Sequence, residues 1–230
     1  MSYGVNAPWG LQAIRTNTDA SWNGKTNTYL IASGYNQNIF KGDLVFLTAA
    51  TTNGAAAGYI INAFDINNTG ANPTAFQTSA ILGVFDGCSY AVPTSVNPID
   101  PASPGHSYWP AGTQTLGGIP AIANVITDPE VVYNVQVQST GATQASVGKF
   151  AYAVYQTVND AGLVVNGNTS TGQSYLSLSI ASLSRTANTQ NFYIDALSAN
   201  PNNVSGQSYN NVEVLLANSF FRQMPALTAY

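Results

Sequence analysis

Short runs of Val, Ile, Leu, Tyr and Phe recur along the chain between turn residues, and each run is the length of a strand. They lie at Tyr29 to Ala32, Leu44 to Thr48, Tyr59 to Ala63, Ile81 to Phe85, Ile122 to Ile126, Val131 to Gln138, Phe150 to Gln156, Tyr175 to Ile180, Phe192 to Ala196 and Val212 to Leu216. Alternation is clearest from Val131 to Gln138: Val131, Tyr133, Val135 and Val137 share one face, and Asn134, Gln136 and Gln138 share the other. Leu176, Leu178 and Ile180 alternate in the same way with Ser177 and Ser179. No long stretch repeats at helical spacing, so the pattern predicts an all-β sandwich or barrel.

The breaks are read as turns. Gly42-Asp43, Asn53-Gly54, Asp86-Gly87, Asp160-Ala161-Gly162 and Asn166-Gly167 supply residues that accept positive φ, which predicts many hairpins. Pro98, Pro101, Pro104, Gly105 and Gly112 interrupt any sheet and predict a long loop or ordered excursion from Pro93 to Pro110. Residues 1–25 combine Asn6, Pro8, Gly10 and Asn23-Gly24 with Trp9, Leu11, Ile14 and Trp22. They read as an extended N-terminal arm that cannot form a core alone and is ordered by lying on another subunit. The division that follows is an arm over 1–25, a β-sandwich body over 26–218 and a C-terminal tail over 219–230.

Charge changes the picture most. Only 7% of the 230 residues are Asp, Glu, Lys or Arg, against roughly a quarter in ordinary soluble domains. Hydrophobic residues make up 45%, with 13 Tyr, 9 Phe and 3 Trp, enough apolar area to offset chain entropy. A polar but nearly uncharged surface suits a protein largely covered in an assembly. The six cations, Arg15, Lys25, Lys41, Lys149, Arg185 and Arg222, are too scattered for a basic stripe, so no direct nucleic-acid binding is expected. No apolar run approaches a membrane span, and MSYGVNAPWG lacks the layout of a signal peptide, so the expected place of synthesis is the cytosol, without membrane contact. The single Cys88 excludes an internal disulfide and fits that compartment. The sequons at Asn67, Asn168 and Asn203 are then products of an Asn/Thr/Ser-rich composition.

Candidate chemistry is sparse. With His106 the only histidine, any triad, dyad or multi-histidine metal site must use it or not exist. Cys88 and His106 could form a nucleophile and base, but Cys88 reads better as a small buried hydrophobe. Asp128 and Glu130 lie close enough to suggest a glycosidase pair, yet Asp128-Pro129 reads as a turn cap before a strand. Asp65, Asn67 and Asn68 suggest a calcium loop without the acid that would close it. The expectation is no enzyme, no metal and no cofactor. Aromatics offer more: Tyr108-Trp109-Pro110 with Trp9 could stack on a sugar, or could cover a sheet edge or a neighbouring subunit, which is preferred. Phe220-Phe221-Arg222 suits an intersubunit anchor, and a tail tucked on its own core is equally open. The candidate interface residues are therefore Tyr3, Trp9, Trp22, Tyr108, Trp109, Phe220, Phe221 and Arg222.

Taken in order, Ile31-Ala32-Ser33-Gly34-Tyr35, Asn38 to Val45, Gly83-Val84-Phe85-Asp86-Gly87-Cys88, Tyr108 to Thr113, Asp128-Pro129-Glu130-Val131 and Asn211 to Leu215 form a set that resembles the head decoration, or cement, proteins of tailed bacteriophages. The resemblance runs from the N-terminus to about Gln138 and returns at the end. It implies a jelly-roll-like body, a homotrimer, no catalytic motif, and the major capsid protein as partner on the outside of the head. The alternative is a virion fibre or a glycan-binding, receptor-binding head module. A shell-forming capsid protein fits less well, because its fold needs a long spine helix that this pattern lacks.

Overall fold

The structure, a computed structural model, describes residues 5–49, 51–63, 81–93, 103–138, 140–155, 165–185 and 190–223, with the main chain only at 103, 104, 182, 222 and 223. In chain order the strands are β1 (Gln12–Thr16), β2 (Asn27–Ile31), β3 (Ile39–Phe40), β4 (Leu44–Leu47), β5 (Ile60–Asn62), β6 (Gly83–Tyr90), β7 (Ser103–His106), β8 (Tyr108–Trp109) and β9 (Ala121–Ile126). They continue as β10 (Val131–Gln136), β11 (Phe150–Tyr155), β12 (Gly167–Asn168), β13 (Gln173–Ser174), β14 (Leu176–Ser184), β15 (Phe192–Leu197), β16 (Asn211–Leu216), β17 (Asn218–Ser219) and β18 (Arg222–Gln223). The helical elements assigned among the described residues are two short 3-10 turns, Leu116–Gly118 and Gln144–Ser146.

Two six-stranded antiparallel sheets carry the fold. One runs β1-β10-β16-β15-β11-β14; the other runs β2-β9-β6-β4-β5, with β7 added beside β6. The chain is thus an all-β sandwich, and all ten predicted strand segments coincide with strands. Alternation is the cause: Val131, Tyr133 and Val135 of β10, Val212, Val214 and Leu216 of β16, and Ala121, Ala123 and Val125 of β9 face one continuous core. Each large side chain fully buried there contributes roughly 1.5–3 kcal/mol of transfer free energy.

The N-terminal segment departs from the expected arm. Strands begin at Gln12, not near Tyr29: β1 pairs with β10, Gln12 opposite Asn134 and Thr16 opposite Val131, with a bulge between Ala13 and Arg15. Leu11 is buried in the core, and Trp22 packs against it half-buried. Arg15 reaches across the sheet to Glu213 of β16 at 2.8 Å and Asp195 of β15 at 2.7 Å, and also meets Asp19 at 3.0 Å. Further back, Ala7 N–H donates to Gln136 Oε1 at 3.1 Å and Gln136 Nε2 donates to the Val5 carbonyl at 3.0 Å. This segment therefore covers the polar face of β10, which is why Gln136 is buried although it alternates outward.

Two glycines permit that docking. Gly10 (φ 75°) and Gly42 (φ 89°) cross in contact, and Leu11 N–H donates to the Gly42 carbonyl at 3.0 Å. A Cβ on Gly10 would sit 2.7 Å from Ser174 Cβ and 2.9 Å from the Gly42 oxygen, a separation that side chains do not tolerate.

Two turn readings change. Asp86-Gly87 is no turn: β6 runs straight through it, with a bulge against β9 between Phe85 and Gly87. Asn166-Gly167 leads into β12, where Gly167 lies so close to the Phe40 ring that any side chain would overlap it. Asp160-Ala161-Gly162 lies outside the described residues. Within the predicted excursion from Pro93 to Pro110, the described part contains β7 and β8, which pair with β6 and β3.

Candidate functional site

Among the described residues, the predicted interface residues divide between core and surface. Trp109, expected on a surface, is 0% exposed: β8 pairs with β3, and the Trp109 indole N–H donates to the Tyr35 carbonyl at 3.1 Å. It is a core side chain, because β8 lies inside the fold and not on an outer loop. Tyr108 is half-buried and stacks on Phe40 with ring centroids 5.3 Å apart. Tyr3 lies outside the described residues, as do Asp65, Asn67 and Asn68 and the side chain of Arg222.

Phe220 and Phe221 are on the surface, 60% and 53% exposed. They occupy the turn between β17 and β18, where Ser219 pairs with Arg222, so the stretch read as a tail after the last strand begins as a hairpin. Turn positions of this kind ordinarily go to Gly, Asn or Asp. The hairpin is fixed to the body by Phe220 N–H donating to the Ile81 carbonyl at 2.7 Å and Ile81 N–H donating to the Asn218 carbonyl at 2.9 Å. The two rings meet edge to face at 5.3 Å, giving a rigid apolar knob.

Two clefts adjoin the N-terminal segment. Trp9 lines one of about 200 Å³, together with Val5, Ala7, Gln136 and residues of the 200–211 stretch. Trp22 lines the other, of about 240 Å³, where Lys41 Nζ pairs with Asp86 at 2.8 Å.

A buried polar node centres on Asp43, which the sequence reads as a turn residue. Asp43 is fully buried between the sheets. Its Oδ2 accepts from Phe40 N–H and from Asn62 Nδ2, both at 2.8 Å; its Oδ1 accepts from Tyr155 hydroxyl at 3.0 Å and from Ser174 hydroxyl. Burial pushes the carboxyl up to about 7, against the opposing pull of those four donors. Burial, and then Asp43 itself, pushes the Tyr155 hydroxyl well above its ordinary range. Asp43 itself sits in the turn between β3 and β4, and the node it centres joins β3, β5, β11 and β13 away from solvent.

Cys88 and His106 are brought together: they are register partners on β6 and β7. The thiol is nevertheless chemically quiet. Burial pushes it up to about 12, and Sγ donates at 3.6 Å to the Tyr108 carbonyl. His106 stacks on Tyr90 at 4.4 Å. Asp128 caps its turn, accepting from Glu130 N–H at 2.9 Å, as its Pro-flanked position suggested. Among the described residues no group of three or more His, Cys, Asp or Glu is placed to hold a metal ion. No helix among them is long and apolar enough to cross a membrane.

Sequence reasoning missed the Asp43 node and the 200–211 wall of the Trp9 cleft. The second had a signal, the density of Asn in Asn200-Pro201-Asn202-Asn203 and Asn210-Asn211. No protein-family model, curated protein or solved structure matches the chain.

Proposed function

We propose that the chain is a capsid decoration, or cement, protein of a tailed bacteriophage, non-enzymatic and without a cofactor. In this reading it is made in the host cytosol and binds the outside of the assembled head as a homotrimer with a jelly-roll-like body. It bridges neighbouring copies of the major capsid protein and contacts neither nucleic acid nor membrane. The observation that carries the reading is the Phe220-Phe221 knob: two large aromatics held out at a rigid turn, in a chain whose surface has few charges to keep it apart from others. Aromatic pairs that fill a partner's pocket dominate the energy of interfaces, while the uncharged polar surround tolerates being covered.

The mechanism is mass action. A ligand that binds the assembled shell and not its separated parts stabilises the shell by about 4 kcal/mol at a thousand times its dissociation constant, and a trimer multiplies the effect by avidity. The test is co-sedimentation of the purified chain with heads assembled from the major capsid protein of the same genome. The native chain is expected to pellet with heads and to raise their disruption temperature. A Phe220→Ser/Phe221→Ser variant, whose fold should be unchanged because both rings are exposed, is expected to bind at least about tenfold more weakly. Failure of the native chain to bind heads, together with a monomer at micromolar concentration, would overturn the reading.

A further inference from the structure

We infer that the cleft between the N-terminal segment and the 200–211 stretch is a binding site for one neutral, hydroxyl-rich ring, a saccharide residue stacked against Trp9. The inference goes beyond the cement reading and does not depend on it.

The lining sets the ligand's chemistry. No Asp, Glu, Lys, Arg or His lines the cleft, so nothing there selects a phosphate, a carboxylate or an amine. Seven of the twelve lining residues are Asn or Gln, Ser208 adds a hydroxyl, and the rings are Trp9 and Tyr209, both half-buried. Side-chain amides offer a donor and an acceptor side by side, which matches vicinal hydroxyls. An indole or phenol ring matches the apolar C–H face of a pyranose. A volume of about 200 Å³ is below the roughly 300–1,000 Å³ of drug-sized pockets and suits one sugar unit.

The walls are built in advance. Gln136 is committed to Val5 and Ala7 and fixes the Trp9 side. Asn203 holds Ser198 and Asn211 through its amide, and Asn210 binds Ala142 in both directions at 2.8 Å. These amides set the shape of the cleft, leaving exposed Asn202 and Ser208 at its rim.

Two observations point to an occupant. Trp9 Nε1 and Asn211 Oδ1, a donor and an acceptor in the same lining, are shielded from solvent and have no hydrogen-bond partner among the described residues. A hydroxyl, donor and acceptor at once, satisfies both kinds of group after a small rotation of the ring or the amide. Tyr209 holds φ at 60°, a conformation that non-glycine residues adopt at a cost, and it does so where its ring lines the cleft.

The test is titration of the full chain with glucose, galactose, mannose and N-acetylglucosamine, followed by saturation-transfer NMR and tryptophan fluorescence. An array of oligosaccharides ending in the same residues separates free sugars from glycan termini. Saturable binding of at least one sugar is expected, with a dissociation constant of order 1 mM for so small a ligand. Tyr209→Gly removes a ring while relaxing the backbone at that φ, so the fold is kept; binding should weaken at least about tenfold. Trp9→Ala should do the same, and Trp22→Phe, in the other cleft, should change nothing. Absence of saturable binding by every sugar in solution and on the array, or unchanged affinity in both cleft variants, would overturn the inference. Head binding should survive Tyr209→Gly, so the two proposals fail separately.

Discussion

Asp43 makes the fold's stability depend on pH in an unusual direction. The carboxyl ionises near its ordinary value of 3.8 in the unfolded chain and at about 7 in the folded one, because burial disfavours the charged form. A raised value means that the folded state holds the proton more tightly. The contribution to stability is complete below about pH 4 and is lost as pH rises through about 7. A gap of about three pH units corresponds to roughly 4 kcal/mol in full, of which about 2–3 kcal/mol falls between pH 5 and pH 8. Geometry also says where the proton sits. Oδ2 faces two obligatory donors, Phe40 N–H and Asn62 Nδ2, whereas Oδ1 faces the hydroxyls of Tyr155 and Ser174, which can turn to accept. Asp43→Asn mimics that protonated state, its amide placed toward the hydroxyls and its oxygen toward the two donors. Urea unfolding of both proteins from pH 5 to pH 8 is the assay. The native chain should lose about 2–3 kcal/mol across it, while Asp43→Asn should stay nearly flat and become the more stable of the two at pH 8. A native curve that is flat or rises, or a variant that tracks it in parallel, would refute the reasoning.

Three further outcomes are expected. Gly10→Ala, which drives a Cβ to 2.9 Å from the Gly42 oxygen at a φ of 75°, should lower stability by about 2 kcal/mol or more in the same urea assay. Arg15→Met, which leaves Glu213 and Asp195 side by side without their shared cation, should cost about 1–3 kcal/mol and increase hydrogen exchange in β1 more than in β15. Cys88, buried and with its thiol pushed up to about 12, should resist iodoacetamide at pH 8 in the native state and react on unfolding, as mass spectrometry would report.

The sequence by itself determined the all-β class and ten of the strand segments, because side-chain alternation along a strand is a local property that needs no partner to be read. It also determined the scarcity of charge. Only the tertiary structure decided the rest, and the reasons are long-range. β1 was illegible because Gln12 and Arg15 are polar; what makes that segment a strand is β10 beside it and two acids, Glu213 and Asp195, some two hundred residues away. β3, β8, β12, β13, β17 and β18 are two residues each, too short to show any period. Trp109 and Phe221 are similar apolar aromatics in sequence, and opposite in fate. The first is drawn inside by the Tyr35 carbonyl and the β3 ladder; the second is held outside by a turn fixed to Ile81. Asp43 followed a glycine and read as turn chemistry, which it is. Its four donors come from residues 40, 62, 155 and 174, a convergence that exists only once the sheets have packed.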